Sequence, residues 1–259
     1  MSTWSVIAAK DHLRWIGAFA SLGMCAASAV AFAVLRPDCM VVEQVEFEGV
    51  HHAGPAALRH LSEIRSGVTI WSVDLDAASR GVERHPWVRS ARAFRQWPDT
   101  VRVVVEERVP VALLHYDELY YVDAQGVPFL SGDLPDLDYP NLTGISPDLE
   151  QRHPGLPQLA VADALGLLAS LDERDLVPRA GVSEVHFSET RGFTVHAGTS
   201  RLLFALEHRD RQLDRLSALI ERDAVDLQQP TWVDLGPAEV AIVRPLPERL
   251  RPVALVDGA

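Results

Sequence analysis

Between Trp15 and Leu35 lie 21 residues without Asp, Glu, Lys, Arg or His. At about 1.5 Å of rise per residue, a helix over this run reaches about 30 Å, the hydrocarbon thickness of a bilayer. The run therefore predicts a single membrane-spanning helix over residues 15–35. Lys10 and Arg14, partly offset by Asp11, precede it, while Arg36 and Asp38 balance each other after it. Positive-inside asymmetry then places a short cytoplasmic head, residues 1–14, before the span and an extracytoplasmic body after it. A cleaved signal peptide is the competing reading, and Ala31-Phe32-Ala33 offers a small-x-small site. The run continues past the about 7 to 15 residues of a signal-peptide core, which favours the anchor. Processing as a lipoprotein at Cys25 is disfavoured by the bulky Met24 before it.

The chain carries a formal net charge of -12, and removing Lys10, Asp11 and Arg14 leaves the remainder negative. Phosphate backbones are bound by concentrated positive charge, so no direct nucleic-acid contact is expected. Cys25 and Cys39 are the two cysteines. One falls inside the proposed span and the other beyond it, so no disulfide between them is expected.

Beyond the span, punctuation and periodicity suggest an α+β body of two units. In the first, residues 41–109, Val41-Val42, Val45 and Phe47 read as a strand, and Pro55 begins a helix reaching Ile64. Asp74 is placed to cap a second helix running to about Arg84, which His85-Pro86 ends. Trp97-Pro98-Asp99-Thr100 reads as a hairpin turn, after which Val101, Val103 and Val105 occupy one face of a strand and Arg102 and Glu106 the other.

The second unit, residues 110–243, opens on strands through Leu114 and around Leu119–Val122, turns at Asp123-Ala124-Gln125-Gly126, and resumes at Val127 and Phe129. Pro, Gly and Asp crowd residues 131–157, which predicts an irregular surface insert. A helix from Gln158 to Leu171 is expected to bury Leu159, Ala162, Leu165 and Ala169. Strands are expected over 182–187, 192–195, 231–235 and 240–243, with a helix over 207–222 burying Leu213, Leu216 and Ile220. Pro245, Pro247 and Pro252 suit a flexible tail, residues 244–259.

Chemistry-bearing residues form no recognisable catalytic pattern. His51, His52 and His60 lack the carboxylate or cysteine spacing of a zinc site. Ser183, Ser188 and Ser200 beside His186, His196 and His208 make no nucleophile elbow, and no phosphate-binding glycine loop is present. The irregular spacing of Asp133, Asp136, Asp138 and Asp148 suits a solvated loop better than a calcium site. Trp71, Trp87, Phe94 and Trp97 read first as packing residues and second as a protein-binding feature. No catalytic residue, metal site or cofactor is expected. The run Val240-Ala241-Ile242-Val243 reads equally as an accessible edge strand or as an internal closing strand; an open edge can accept a strand from another chain.

Particular strings are more specific than this outline. Val42-Glu43-Gln44-Val45-Glu46-Phe47-Glu48-Gly49 resembles the opening strand and turn of a POTRA domain. The strings from His85 to Ala91, from Arg95 to Val101 and from Glu106 to Ala112 resemble the FtsQ/DivIB family of bacterial cell division proteins. So do Tyr121 to Phe129 and Trp232-Val233-Asp234-Leu235. The resemblance implies a single transmembrane helix followed by a POTRA domain and a β-rich domain with flanking helices. It further implies a type II, single-pass inner-membrane protein at the division septum, in contact with membrane lipid and without enzymatic activity.

In that family the POTRA part is associated with FtsK, and the β domain holds the FtsB–FtsL complex that regulates septal peptidoglycan synthesis. The corresponding protein-binding residues here are Trp232, Val233, Asp234, Leu235, Val240, Ala241, Ile242 and Val243. Gly236-Pro237 departs from the family pattern, and no aromatic residue follows directly on Val243, so a backbone-led contact is expected in preference to side-chain anchors. The alternatives are a membrane-anchored envelope enzyme and another POTRA-bearing assembly factor.

Overall fold

A computed structural model of the chain describes residues 40–132, 134–237 and 239–246. The expected head, the uncharged run 15–35, both cysteines, Asp133 and everything beyond Leu246 lie outside the described residues. Among the described residues no helix is long and apolar enough to cross a membrane. The chain divides into two compact units between Glu107 and Arg108.

The first unit runs β1 (Gln44–Glu48), α1 (Pro55–Ser62), α2 (Leu75–Val82), β2 (Val88–Gln96) and β3 (Thr100–Glu107). Its sheet has the order β1-β3-β2, with β1 parallel to β3 and the β2–β3 hairpin antiparallel. Alternation on β3 explains its central place. Val101, Val103 and Val105 are buried, while Arg102 lies outward within 3.7 Å of Glu46 and 3.6 Å of Glu48. Burying one such valine contributes about 1.5–3 kcal/mol, against about 0–1 for an exposed ion pair, so the apolar face decides which side of the sheet is covered. Pro55 lies in the first turn of α1, where its missing N–H costs no helix bond. The Asp74 side chain accepts the Ala77 N–H at 2.9 Å and caps α2 as its position predicts.

The second unit continues with β4 (Pro110–His115), β5 (Leu119–Asp123), β6 (Pro128–Ser131), β7 (Asn141–Thr143), α3 (Pro147–Arg152) and α4 (Leu156–Glu173). There follow β8 (Val182–Ser188), β9 (Gly192–Ala197), β10 (Ser200–Phe204), α5 (Arg209–Glu221), β11 (Thr231–Asp234) and β12 (Ile242–Pro245). Among the described residues this unit forms a nine-stranded mixed sheet in the order β12-β11-β10-β9-β8-β7-β4-β5-β6.

Two expectations need correction. The stretch 131–157 is not wholly an insert, because β7 lies between β4 and β8, parallel to both, and α3 follows it. Gly144 makes this possible: its φ is +77°, and a Cβ there would stand 2.1 Å from the Phe187 carbonyl oxygen. On α4 the buried residues are Pro157, Ala160, Val161, Ala164, Leu165, Leu167, Leu168 and Leu171. Leu159 is 64% exposed and Ala162 is exposed, so the burial stripe is rotated from the expected one. The helix carries apolar residues almost all round, and such a sequence does not select its own buried face.

On α5, Leu213 and Leu216 are buried as expected and Ile220 is partly buried. Beside them the polar Gln212 is also buried. Its Oε1 accepts the Ala205 N–H at 2.8 Å and its Nε2 donates to the Ala205 carbonyl, tying α5 to the end of β10.

Candidate partner-docking edge

The last strand of the nine-stranded sheet, β12, has a neighbour on one side: Val243 lies opposite Val233 and Arg244 opposite Trp232 on antiparallel β11. Just beyond this register the Leu246 N–H donates to the Pro230 carbonyl at 2.8 Å. Antiparallel pairs alternate between those that exchange hydrogen bonds and those that do not. Counting back from Leu246, Arg244 and Ile242 direct their N–H groups to β11, while the backbone of Val243 and Pro245 faces the open side. Pro245 thus sits where an absent N–H removes nothing from the sheet, which is how proline is tolerated in an edge strand. Val243 is left with a donor and an acceptor at an edge where no strand of the described residues pairs with it.

A basic side chain holds this edge in place. Arg215 of α5 donates to the carbonyls of Leu235, Pro237 and Val240, the last at 2.9 Å, and so gathers the loop that delivers β12. The Gly236 N–H bonds Asp234 Oδ1 at 2.9 Å and turns the chain out of β11. Gly236-Pro237, the departure from the family pattern, lies within this gathered loop. On the opposite face from Val243, the Arg244 guanidinium stands 5.5 Å from the centre of the Trp232 ring.

The eight residues singled out from the sequence separate into distinct roles. Val233 and Leu235 are fully buried, and Asp234 shapes the turn. Trp232 lies on the penultimate strand beneath Arg244. Val240 is 57% exposed, but Val240 and Ala241 precede the strand. Ile242 and Val243 begin it, and Arg244 and Pro245 complete it, with the buried Leu246 directly after; these three were expected in the flexible tail 244–259. The strand thus lies two residues further along the chain than the expected run 240–243.

His51 and His52 have structural surroundings. Glu107 at the end of β3 accepts the N–H groups of His51, His52 and Ala53 at 2.8–3.0 Å and contacts His52 Nδ1 at 2.9 Å. The His52 ring stacks on Trp87 with centroids 4.2 Å apart. Burial of Glu107 opposes its ionisation, but the N–H groups of Ala53, His51 and His52 and the His52 ring outweigh this and lower its pKa from 4.5 to about 2. Burial lowers the pKa of His196 in the second unit, against the opposing influence of Glu184. Among the described residues no three His, Cys, Asp or Glu side chains converge as a metal site would require.

Two unit types among the described residues, a three-stranded sheet with two helices and a longer mixed sheet whose last strand pairs on one side, define a POTRA-bearing protein of α+β class. Residues 40–108 match the family model described as POTRA domain, FtsQ-type. Cell division protein FtsQ of Syntrophotalea carbinolica is 32% identical over 237 residues, covering 88% of this chain and 82% of that protein. The FtsQ proteins of an Anaeromyxobacter species and of Rhodothermus marinus are each 32% identical, over 76% and 78% of this chain and 72% and 76% of theirs. The chain belongs to the FtsQ family of cell division proteins.

Proposed function

We propose that this chain is a membrane-tethered, non-enzymatic scaffold of the bacterial divisome, and that β12 holds the FtsB–FtsL complex by accepting a strand from FtsB. The uncharged run 15–35 anchors it in the inner membrane as a single-pass type II protein, with residues 1–14 cytoplasmic and the two units periplasmic at the septum. Tethering confines the docking edge to the layer in which other anchored division proteins move, which raises their effective concentration without any new contact. FtsK engages the POTRA unit in this reading. The link to septal peptidoglycan synthesis runs through the captured regulators and not through chemistry on the cell wall.

The observation that carries the proposal is the outward-facing backbone of Val243 on a strand whose other side no strand of the described residues pairs. Strand addition derives affinity from main-chain hydrogen bonds, so it needs few distinctive side chains. It also tolerates the absence of a terminal aromatic.

Capture of FtsB–FtsL by the full-length chain reconstituted in membranes tests this. Val243→Pro removes the outward N–H and sets a ring against an incoming strand, yet leaves the β11 ladder intact. It is expected to weaken capture about tenfold or more, equivalent to about 1.4 kcal/mol, while Val243→Ala retains capture. Unchanged capture by Val243→Pro, with Trp232 fluorescence showing a folded sheet, would reject β12 as the docking edge.

A further inference from the structure

The first unit leaves two tryptophans in water that its own core does not absorb. Trp71 is 54% and Trp97 47% exposed, whereas Trp87 of the same unit is 9% exposed. Their rings meet with centroids 4.4 Å apart at an interplanar angle of 53°. The pair stands on a fixed base. Arg95, its guanidinium 5.9 Å from the centre of the Trp71 ring, donates through Nε to the Ile70 carbonyl at 2.9 Å and through Nη2 to the Val73 carbonyl at 2.7 Å.

Their position within the unit gives the exposure a direction. The Ile70 N–H donates to the Met40 carbonyl at 2.9 Å, and Val41 bridges Thr69. The Glu43 N–H donates to the Asp99 carbonyl at 2.8 Å. Residues 40–43, the segment before Trp71 and the turn after Trp97 therefore meet at one end of the sheet. The chain leaves this unit from the other end of β3, about 23 Å away at the rise of an eight-residue strand.

Four residues, Arg36 to Cys39, separate the uncharged run from Met40. Fully extended, they hold Met40 within about 18 Å of Leu35. The inference rests on the membrane-anchor reading of residues 15–35: given that anchor, the tryptophan-bearing end is the one tied to the bilayer. Indole rings favour the headgroup level, where their apolar body leaves water and their N–H keeps a polar partner.

We propose that Trp71 and Trp97 dock on the phospholipid interface and give the first unit a second attachment to the membrane beside the anchor. A tether alone leaves the unit free to tilt. A tether with an aromatic foot restricts that tilt.

Quenching of tryptophan emission by phospholipids brominated near the headgroup tests this on the full-length chain, in vesicles of phosphatidylethanolamine and phosphatidylglycerol. Of the six tryptophans, Trp4 and Trp15 lie before or at the start of the uncharged run. With W4F and W15F in place, emission is expected to fall by roughly half, the share of two among the remaining four. Adding W71F and W97F should abolish that loss, with the remaining Trp87 and Trp232 emission reporting the fold. A separate W71F/W97F protein that keeps Trp15 reports insertion of the anchor. Quenching of this protein without quenching of the W4F/W15F protein overturns the docking and leaves the anchor standing. Absence of quenching in both overturns the anchor and the docking together. A W4F/W15F protein whose emission responds to an added protein partner but not to brominated lipid also overturns the proposal, by assigning the patch to a protein contact.

Discussion

Asp123→Ala is expected to destabilise the second unit by about 3 kcal/mol, the lower end of the range for removing one partner of a buried ion pair, because the Arg108 side chain left behind is 21% exposed. Asp123 is 2% exposed and pairs with Arg108 through Oδ2. Its other oxygen accepts the N–H groups of Gln125 at 3.0 Å and Val127 at 2.9 Å, closing the turn between β5 and β6. Alanine therefore strands a guanidinium beside the Phe129 ring and leaves two turn N–H groups without their acceptor. Asp123→Asn keeps one side-chain acceptor and gives up the charge, so its loss should be distinctly smaller. Pulse proteolysis of the full-length proteins across a urea series, scored on second-unit peptides, measures both. Equal stability of wild type and Asp123→Ala would mean that the turn is held by its backbone bonds alone.

Glu107→Gln is expected to cost the first unit about 2–3 kcal/mol at pH 7, with a pH dependence that steric damage would not produce. The carboxylate's pKa is about 2 in the folded protein against 4.5 ordinarily. A lowered pKa contributes stability that is present above about pH 4.5 and is lost as pH falls towards about 2. The shift corresponds to about 3 kcal/mol before screening, and solvent reduces this because the His52 side chain beside the carboxylate is 56% exposed. The gap between wild type and Glu107→Gln should therefore close between about pH 4.5 and pH 2. With W4F, W15F and W232F in both full-length chains, the remaining tryptophans, Trp71, Trp87 and Trp97, belong to the first unit, and urea unfolding followed by their emission reads that unit. A gap of constant size from pH 7 to pH 2 would show that the amide disturbs packing and that the charge contributes nothing.

Local signals were legible where one short segment determines its own structure. Asp74 caps α2 because its side chain reaches an N–H three residues on, and Val101, Val103 and Val105 face inward because a strand alternates. Legibility fails where the answer lies in a distant partner. Glu107 is one acid in an acidic chain until residues 51–53, more than fifty positions earlier, bring it their N–H groups. The three residues of β7 are too few to show a period and sit among prolines and glycines, yet two long strands flank them. The burial stripe of α4 is chosen by the sheet beneath it.

The last strand lies two residues beyond the expected run 240–243 for the same reason. Pro245 reads as the end of a strand, and in a central strand it would be. At an edge, with its ring on the open side, it is a strand residue that leaves no donor of its own.

Hydrogen exchange at the Val243 amide, measured on the membrane-reconstituted chain with and without saturating FtsB–FtsL, tests the central claim most directly. Strand addition at β12 predicts that this one outward N–H slows by about tenfold or more on binding, whereas Ile242 and Arg244, already bonded to β11, change far less. If FtsB–FtsL binds and Val243 exchanges at its free rate, the complex is held elsewhere and β12 is not the docking strand.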